Sequence, residues 1–312
     1  MRLPSFLVIG AAKSGTTSFA GWLAQHPEVF VPKLKEPNYF ALADRDPVPK
    51  GPAPEEVLRR AIYNWSHTDW DDYRALFAAA GDRPAVGEAS VRYLYFPGAA
   101  ERIRAALPEV RLVAILRDPV GRLYSHYNMN RQMSREVSLE PLALADAIAA
   151  EPERIAEGWG WDWHYVAVGL YGRQLRRYYE LFPREQILIL LYDELVADPL
   201  GAFRAVCRHI GVDDGFRPDM GARGMVSARA RSEGLTRLLW RPGKLGGIGK
   251  RLRPLTRPVV DRLKAWNDAP PPALDEALRA ALIPRFRDDL DELARLTGRE
   301  IPWYRPRSDA AA

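Results

Sequence analysis

The sequence predicts an α/β fold: a central parallel sheet with helices on both faces, followed by a helical C-terminal extension. Three observations predict it. Short runs of strand length, at Phe6–Gly10, Val110–Leu116 and Gln186–Tyr192, alternate with stretches whose apolar residues recur at helical spacing. Leu112–Leu116 and Ile187–Leu191 are apolar throughout, as strands buried on both faces are. The runs end in Gly10, Arg117-Asp118 and Asp193-Glu194. Ligands of parallel sheets bind beyond the carboxyl ends of the strands, where these residues fall.

Each element follows in order. Phe6-Leu7-Val8-Ile9 reads as the first strand, and Phe19, Trp22 and Leu23 mark the helix after it. Val29-Phe30-Val31 reads as a short second strand, and residues 32–54, rich in Pro, Lys and Asp, as loop. Helical patterns cover about 54–63 and 69–79. Ala85–Glu88 reads as a strand end, Ala99–Leu107 as a helix closed by Pro108, and 120–134 as a long helix. Residues 136–163 are less regular around an Ala-rich helix. Tyr165–Phe182 and Pro199–Ile210 read as helices on either side of the strand at 186–192. Ala273–Leu296 is an amphipathic helix broken at Pro284. The chain reads as one domain over 1–307, with a variable basic segment at about 216–272 inside it and a disordered tail at 308–312.

Composition narrows the function. Apolar content is 47%, charged content 27% and mean hydropathy −0.28, as in a soluble protein with a sizeable core. No apolar run is long enough to span a membrane, and no signal-like segment precedes the first strand. The single cysteine, Cys207, allows no internal disulfide, so a reducing, cytoplasmic setting is expected. A net charge of +5 suits an anionic ligand but is too mild to mark a nucleic-acid partner.

The loop Gly10-Ala11-Ala12-Lys13-Ser14-Gly15-Thr16-Thr17-Ser18 joins a strand to a helix N-terminus. Backbone N–H groups and the helix dipole converge on such a loop and make it an anion cradle. Its frame matches the pattern G-x-x-x-x-G-K-[ST] at Gly10, Gly15 and Thr17. Thr16 stands where the lysine belongs, however, and the lysine lies inside the loop, at Lys13. A lysine after the second glycine reaches the β/γ-phosphates of a nucleoside triphosphate; one inside the loop meets its ligand differently. No clear strand ending in a magnesium-binding acid accompanies it. The fold is therefore P-loop-like without the marks of an ATPase or kinase. The loop resembles the 5′-phosphosulfate loop of the sulfotransferases that use 3′-phosphoadenosine 5′-phosphosulfate (PAPS).

Three further motifs extend the resemblance. Arg117-Asp118-Pro119-Val120-Gly121-Arg122-Leu123-Tyr124-Ser125 resembles R-D-P-x-x-R-x-x-S, the 3′-phosphate site of that family. The resemblance implies that Arg117 and Ser125 bind the 3′-phosphate, with Asp118 and Arg122 left to pair locally. Lys33-Leu34-Lys35-Glu36-Pro37-Asn38-Tyr39-Phe40 resembles K-E-P-x-[FY]-F of the heparan-sulfate-type branch and its bacterial relatives. There the glutamate is the proposed base, which implies that Glu36 deprotonates the acceptor. The small-molecule branch uses a histidine, so His26 and His126 are alternatives, and His164 is a candidate for the acceptor side. Gly87-Glu88-Ala89-Ser90-Val91-Arg92-Tyr93 resembles G-E-[AK]-[ST]-P-x-Y, but lacks the lysine at Ala89 and the proline at Val91. That departure argues against a heparan-like acceptor; Ser90 and Tyr93 either line the pocket or belong to the core. Tyr171–Gly211 and Arg285–Trp303 also resemble bacterial members.

The resemblance implies a PAPS-dependent sulfotransferase that transfers the sulfuryl group in line to a hydroxyl or amine. The acceptor class is a small molecule, glycan or lipid, the product is 3′,5′-ADP, and no metal is needed. Lys13 would stabilise the leaving group, while Lys13, Ser14, Gly15, Thr16, Thr17 and Ser18 would hold the 5′-phosphate. Trp159, Trp161, Trp163 and Tyr165 offer either an acceptor wall or core. Two rival readings are a nucleotide kinase and a non-catalytic anion- or membrane-surface module. The second would use the basic stretch 217–264, where Leu238, Leu239, Trp240, Leu245, Ile248 and Leu252 are interspersed with Arg and Lys. Pro242 and Gly246-Gly247 interrupt any long helix there.

Overall fold

Five strands, β1 (Phe6–Gly10), β2 (Val29–Phe30), β3 (Ala85–Ala89), β4 (Arg111–Leu116) and β5 (Ile187–Leu191), form a parallel sheet in the order β2-β3-β1-β4-β5. This is a computed structural model, and it describes residues 2–43, 50–59, 66–133, 139–221, 229–230, 262–263, 266, 268–269 and 272–304. The basic stretch 217–264, its apolar residues from Leu238 to Leu252 and the tail 308–312 lie wholly or mostly outside the described residues.

Two-residue periodicity divides β1 between the layers. Phe6 and Val8 pack with Phe19 and Leu23 of helix α1 (Thr16–Leu23) and with Phe203 and Val206 of the helix Pro199–Ile210. Leu7 and Ile9 pack on the opposite face, in a cluster with Ile103, Leu175, Tyr178, Leu290 and Leu293. The sheet is thus buried on both sides, as the unbroken apolar runs require.

The helices depart from the sequence reading at their ends. The segment taken as loop at 32–54 contains a short helix, Tyr39–Leu42. The Ala-rich helix is two helices, Leu144–Ala149 and Glu151–Ala156, because Pro152 fits a first turn but not a helix interior. The helix expected from Tyr165 begins at Tyr171, after a 3₁₀ turn at Ala167–Gly169. Pro284 breaks the C-terminal helix as expected, into Glu276–Leu282 and Arg287–Thr297 with a 3₁₀ turn between. Among the described residues, no helix is long and apolar enough to cross a membrane.

The chain crosses from β3 on one side of β1 to β4 on the other. A ligand crevice is expected at such a reversal. Gly87 sets the β1–β3 approach on its near side: an added Cβ would lie 2.3 Å from the Phe6 carbonyl oxygen and 2.6 Å from its ring. Gly87→Ala should therefore lower stability by about 1–3 kcal/mol through overpacking. Urea denaturation should show a lower midpoint at unchanged slope; an unchanged midpoint would mean that the strands separate at no cost.

Candidate active site

The glycine loop leaves β1 and returns into α1. Lys13 (φ 66°) and Gly15 (φ 80°) both take left-handed backbone conformations. Glycine does so freely; the lysine does so at a cost on the order of 1 kcal/mol, a kind of strain that collects at functional sites. Gly15 caps α1 without a side-chain bond, and no acidic residue occupies the first turn. The helix's first N–H groups are thus left for an anion. Ser14 is fully buried, and its Oγ makes no hydrogen bond. Thr16 is buried, Thr17 exposed and Ser18 half-buried.

Charge gathers around Lys13. Its Nζ lies 3.5 Å from Met129 Sδ. Burial, then Arg117 and Lys35, lower its pKa to about 8, while the Glu36 carboxylate acts in the opposite sense. Arg117 Nη1 donates to the Lys13 carbonyl at 3.1 Å, and its guanidinium lies 5.0 Å from the Tyr192 ring centroid. The same tyrosine walls the loop, since a Cβ on Gly15 would come within 3.0 Å of its ring. Ser125 is half-buried, two turns along the helix Pro119–Met133 that opens just after Arg117. A desolvated amine, a nearby guanidinium, an orphaned hydroxyl and open helix amides fit a phosphate or sulfate ester. The fold thus brings Lys13 and Arg117 together at one loop.

Glu36 hangs on the end of β3. Its N–H donates to the Ala89 carbonyl at 3.2 Å, and its backbone is left-handed (φ 60°), as is that of Asn38 (φ 58°). The carboxylate pairs with Lys35 and lies close enough to Lys13 to act on its titration. Ser90 lies in the core but serves the loop: Asn38 N–H donates to Ser90 Oγ at 3.0 Å, and Ser90 Oγ donates to Glu88 Oε2 at 2.8 Å. Tyr73 O–H donates to Glu88 Oε1 at 3.3 Å. Tyr93 is buried against Phe40, with ring centroids 5.5 Å apart.

Several expectations are corrected. Asp118 and Arg122 do not pair. Asp118 Oδ2 accepts from Arg279 Nη1 at 2.6 Å and from Gly121 N–H, and its Oδ1 accepts from Val120 N–H, whereas buried Arg122 donates to the Tyr165 carbonyl and contacts His126 Nδ1 at 3.1 Å. Asp193, just past the end of β5, accepts from Trp303 Nε1 at 2.7 Å. His26 spends both ring nitrogens on backbone, accepting from Glu28 N–H at 3.1 Å and donating to the Asp213 carbonyl at 2.8 Å. Of the four aromatics open to either wall or core, Trp163 bonds to Leu139, Tyr165 to Glu140 and Trp159 to Glu157. Trp161 alone of the four packs beside Ala12 of the glycine loop.

A model of the sulfotransferase family matches residues 4–216. The chain belongs to the sulfotransferase family. This sulfotransferase is 27% identical to the bifunctional heparan sulfate N-deacetylase/N-sulfotransferase 3 of Homo sapiens over 213 residues, 68% of its own length and 22% of the relative's. It is 27% identical to the heparan sulfate glucosamine 3-O-sulfotransferase 3A1 of Mus musculus over 212 residues, 68% of the chain and 46% of the relative. It thus spans less than half the length of either. A crystal structure of a sulfotransferase from Alicyclobacillus acidocaldarius superposes with a TM-score of 0.74 at 29% identity, covering 98% of this chain and 100% of that one.

Residues that sequence reasoning missed stand one layer behind this sulfotransferase's motifs. Met129 follows Ser125 by four residues on one helix face, a spacing legible in principle. Tyr192 ends the β5 run and could be read as a strand-end residue, but not as a platform for Arg117. Glu88 reads from the sequence only as a strand end within the Gly87–Tyr93 motif. Burial raises its pKa to about 7, against the pull of hydrogen bonds from Ser90 and Tyr73. The folded state therefore binds a proton between about pH 4.5 and 7 that the unfolded state has released, and stability falls as pH rises through that window. Glu88→Gln should remove this slope, gaining on the order of 3 kcal/mol relative to wild type between pH 4.5 and pH 8. Denaturant titrations across pH would check it; parallel curves would mean that Glu88 is ionised throughout.

Proposed function

We propose that the enzyme moves the sulfuryl group of PAPS in line to an acceptor hydroxyl or amine. The observation that carries this reading is the meeting of Lys13, Arg117 and Glu36 around one glycine loop. When bound, PAPS supplies the sulfuryl group, its sulfur gaining a bond to the acceptor as the bond to the phosphate oxygen breaks. The loop amides from Ser14 to Ser18, with the Thr16 and Thr17 hydroxyls, hold the 5′-phosphate. Arg117 and Ser125 hold the 3′-phosphate. Lys13 meets the negative charge that grows on the leaving oxygen, an interaction worth most in the transition state. Glu36 takes the acceptor's proton. The lone, buried Cys207 fits a reducing compartment such as the cytoplasm.

Hydrogen bonding supports Glu36 over His126 as base. A guanidinium only donates, so Arg122 holds His126 Nδ1 as an acceptor, and the neutral ring carries its proton on Nε2. Burial, then Arg122 and Lys13, push the His126 pKa well below the ordinary histidine value. A ring in that state donates a hydrogen bond and has no lone pair for the acceptor.

Two measurements test the assignment. Calorimetry should show 3′,5′-ADP binding weakened by about 2–4 kcal/mol in Arg117→Ala, because a phosphate loses its charged partner. Equal affinity of the wild type for 3′,5′-ADP and 5′-AMP would remove the 3′-phosphate site. In turnover assays Glu36→Gln should lower kcat by about 10²–10⁴-fold. Lys13→Ala should lower kcat far more than it weakens 3′,5′-ADP binding. A mild Glu36→Gln beside a severe His126→Ala would move the base to the histidine.

A further inference from the structure

Beside the glycine loop lies a cluster of buried polar side chains that this chemistry does not use. Ala12, next to Lys13, packs with Val91, Trp161 and Val168. The Trp161 ring lies 5.6 Å from His126 and 6.4 Å from Tyr95, centroid to centroid. The Arg92 guanidinium sits 4.7 Å from the Trp161 ring centroid and pairs with Asp162 Oδ1 at 3.7 Å. His164 Nδ1 is 2.6 Å from the Tyr95 hydroxyl. All but Tyr95 are at least nine-tenths buried; Tyr95 and neighbouring Phe96, half-buried against Trp161, bring the cluster to the surface.

Six side-chain atoms in this cluster are buried without a hydrogen bond: Nε and Nη1 of Arg92, whose Nη2 faces Asp162, and His126 Nε2, Trp161 Nε1, Asp162 Oδ2 and His164 Nε2. Native proteins leave few such atoms, and an unmet set in one place marks a binding site or a missing partner. Their roles can be counted. Trp161 Nε1 donates, and His126 Nε2 donates in the tautomer that Arg122 enforces. Asp162 Oδ2 accepts. The complement of donors and an acceptor gathered in one buried cluster is a compound with several hydroxyls, since each hydroxyl both donates and accepts. The Trp161 ring supplies the apolar surface that the carbon face of such a compound needs.

Charge selects further. Arg92 is already matched by Asp162 and Lys35 by Glu36. Asp162 and Glu36 also feel one another's charge. A carboxylate or sulfate on the acceptor would add a further anion beside two that already repel.

We propose, resting on the sulfuryl-transfer reading above, that the His126–Trp161–Asp162–His164 cluster is the acceptor subsite and takes an uncharged polyhydroxylated compound, a neutral sugar or polyol. Its reactive hydroxyl lies toward Glu36 and Lys13. His126 and Trp161 donate to ligand oxygens, and Asp162 accepts from a neighbouring hydroxyl. The specificity is opposite in charge to that implied by polyanionic glycans.

A matched pair of probes tests it: methyl glucoside and methyl glucuronide, which differ by one carboxylate, within a panel of neutral glycosides, inositol, phenol and simple alcohols. Sulfation is read as 3′,5′-ADP release, and binding by calorimetry on enzyme saturated with 3′,5′-ADP. Neutral sugars or polyols should be sulfated, with the glucoside favoured at least tenfold in kcat/KM over the glucuronide. Trp161→Phe keeps the ring and loses the N–H; it should raise KM at least fivefold with kcat and 3′,5′-ADP affinity little changed. Asp162→Asn should narrow the gap between the two probes. Preference for the glucuronide, sulfation of phenol or simple alcohols alone, no turnover with any probe, or wild-type KM in Trp161→Phe would each overturn the subsite. Failure to bind 3′,5′-ADP would instead refute the underlying sulfuryl-transfer reading.

Discussion

A partly desolvated ammonium among like charges is the constraint on which this site depends. Lys13 sits in a strained left-handed turn, with Arg117 and Lys35 as neighbours, and its pKa is held near 8. Both strain and repulsion cost stability in the protein alone. Each is offset when an anion enters, because a cation already stripped of water needs no reorganisation to meet it. The surrounding structure serves to keep the amine there: the Arg117 bond to the Lys13 carbonyl, Tyr192 against both the loop and Arg117, and Met129 against Nζ.

The loop bearing Glu36 is held by a different principle. It has no helix or strand of its own at that point and borrows order from β3. Ala89 and Ser90 offer one carbonyl and one hydroxyl, and Glu88 fixes the hydroxyl from behind. Asn38 Nδ2 donates to Ser66 Oγ at 3.0 Å, and His67 N–H to the Pro37 carbonyl at 2.8 Å, closing the other side. A carboxylate on so short a leash keeps its distance from Lys13 while both residues adopt conformations that isolated chains avoid.

The parts legible in the sequence were those with short-range causes. Strand runs, the glycine loop and the R-D-P motif are each contained within about a dozen residues, and the sheet and its strand ends follow from them. What was hidden depends on partners far apart in sequence. Asp118 looked set to pair with Arg122, four residues away at helical spacing, yet Arg279 from the C-terminal helices takes it. The aromatic run at 159–165 has no periodicity that distinguishes Trp161 from Trp163; only packing shows that one faces the loop and the other the core. Burial likewise decides Glu88, whose sequence neighbours give no hint of a raised pKa.

The C-terminal extension explains why so much of the site's support lies beyond the 4–216 span of the family match. Arg279 neutralises Asp118 in a nearly dry contact at the β4 end, next to Arg117. Trp303 bonds to Asp193, just past the end of β5 that carries Tyr192, and Arg299 to the Ile189 carbonyl in the middle of that strand at 2.7 Å. Asp289 caps the helix Tyr171–Leu181 through the Gly172 and Arg173 N–H groups at 2.8 and 2.9 Å. A buried aspartate without its arginine would be an uncompensated charge one residue from Arg117. The extension is thus a clamp over the two strand ends that position Arg117 and its tyrosine platform. The site's geometry is therefore fixed only when the last helices have docked, although none of their residues belongs to the motifs around the loop.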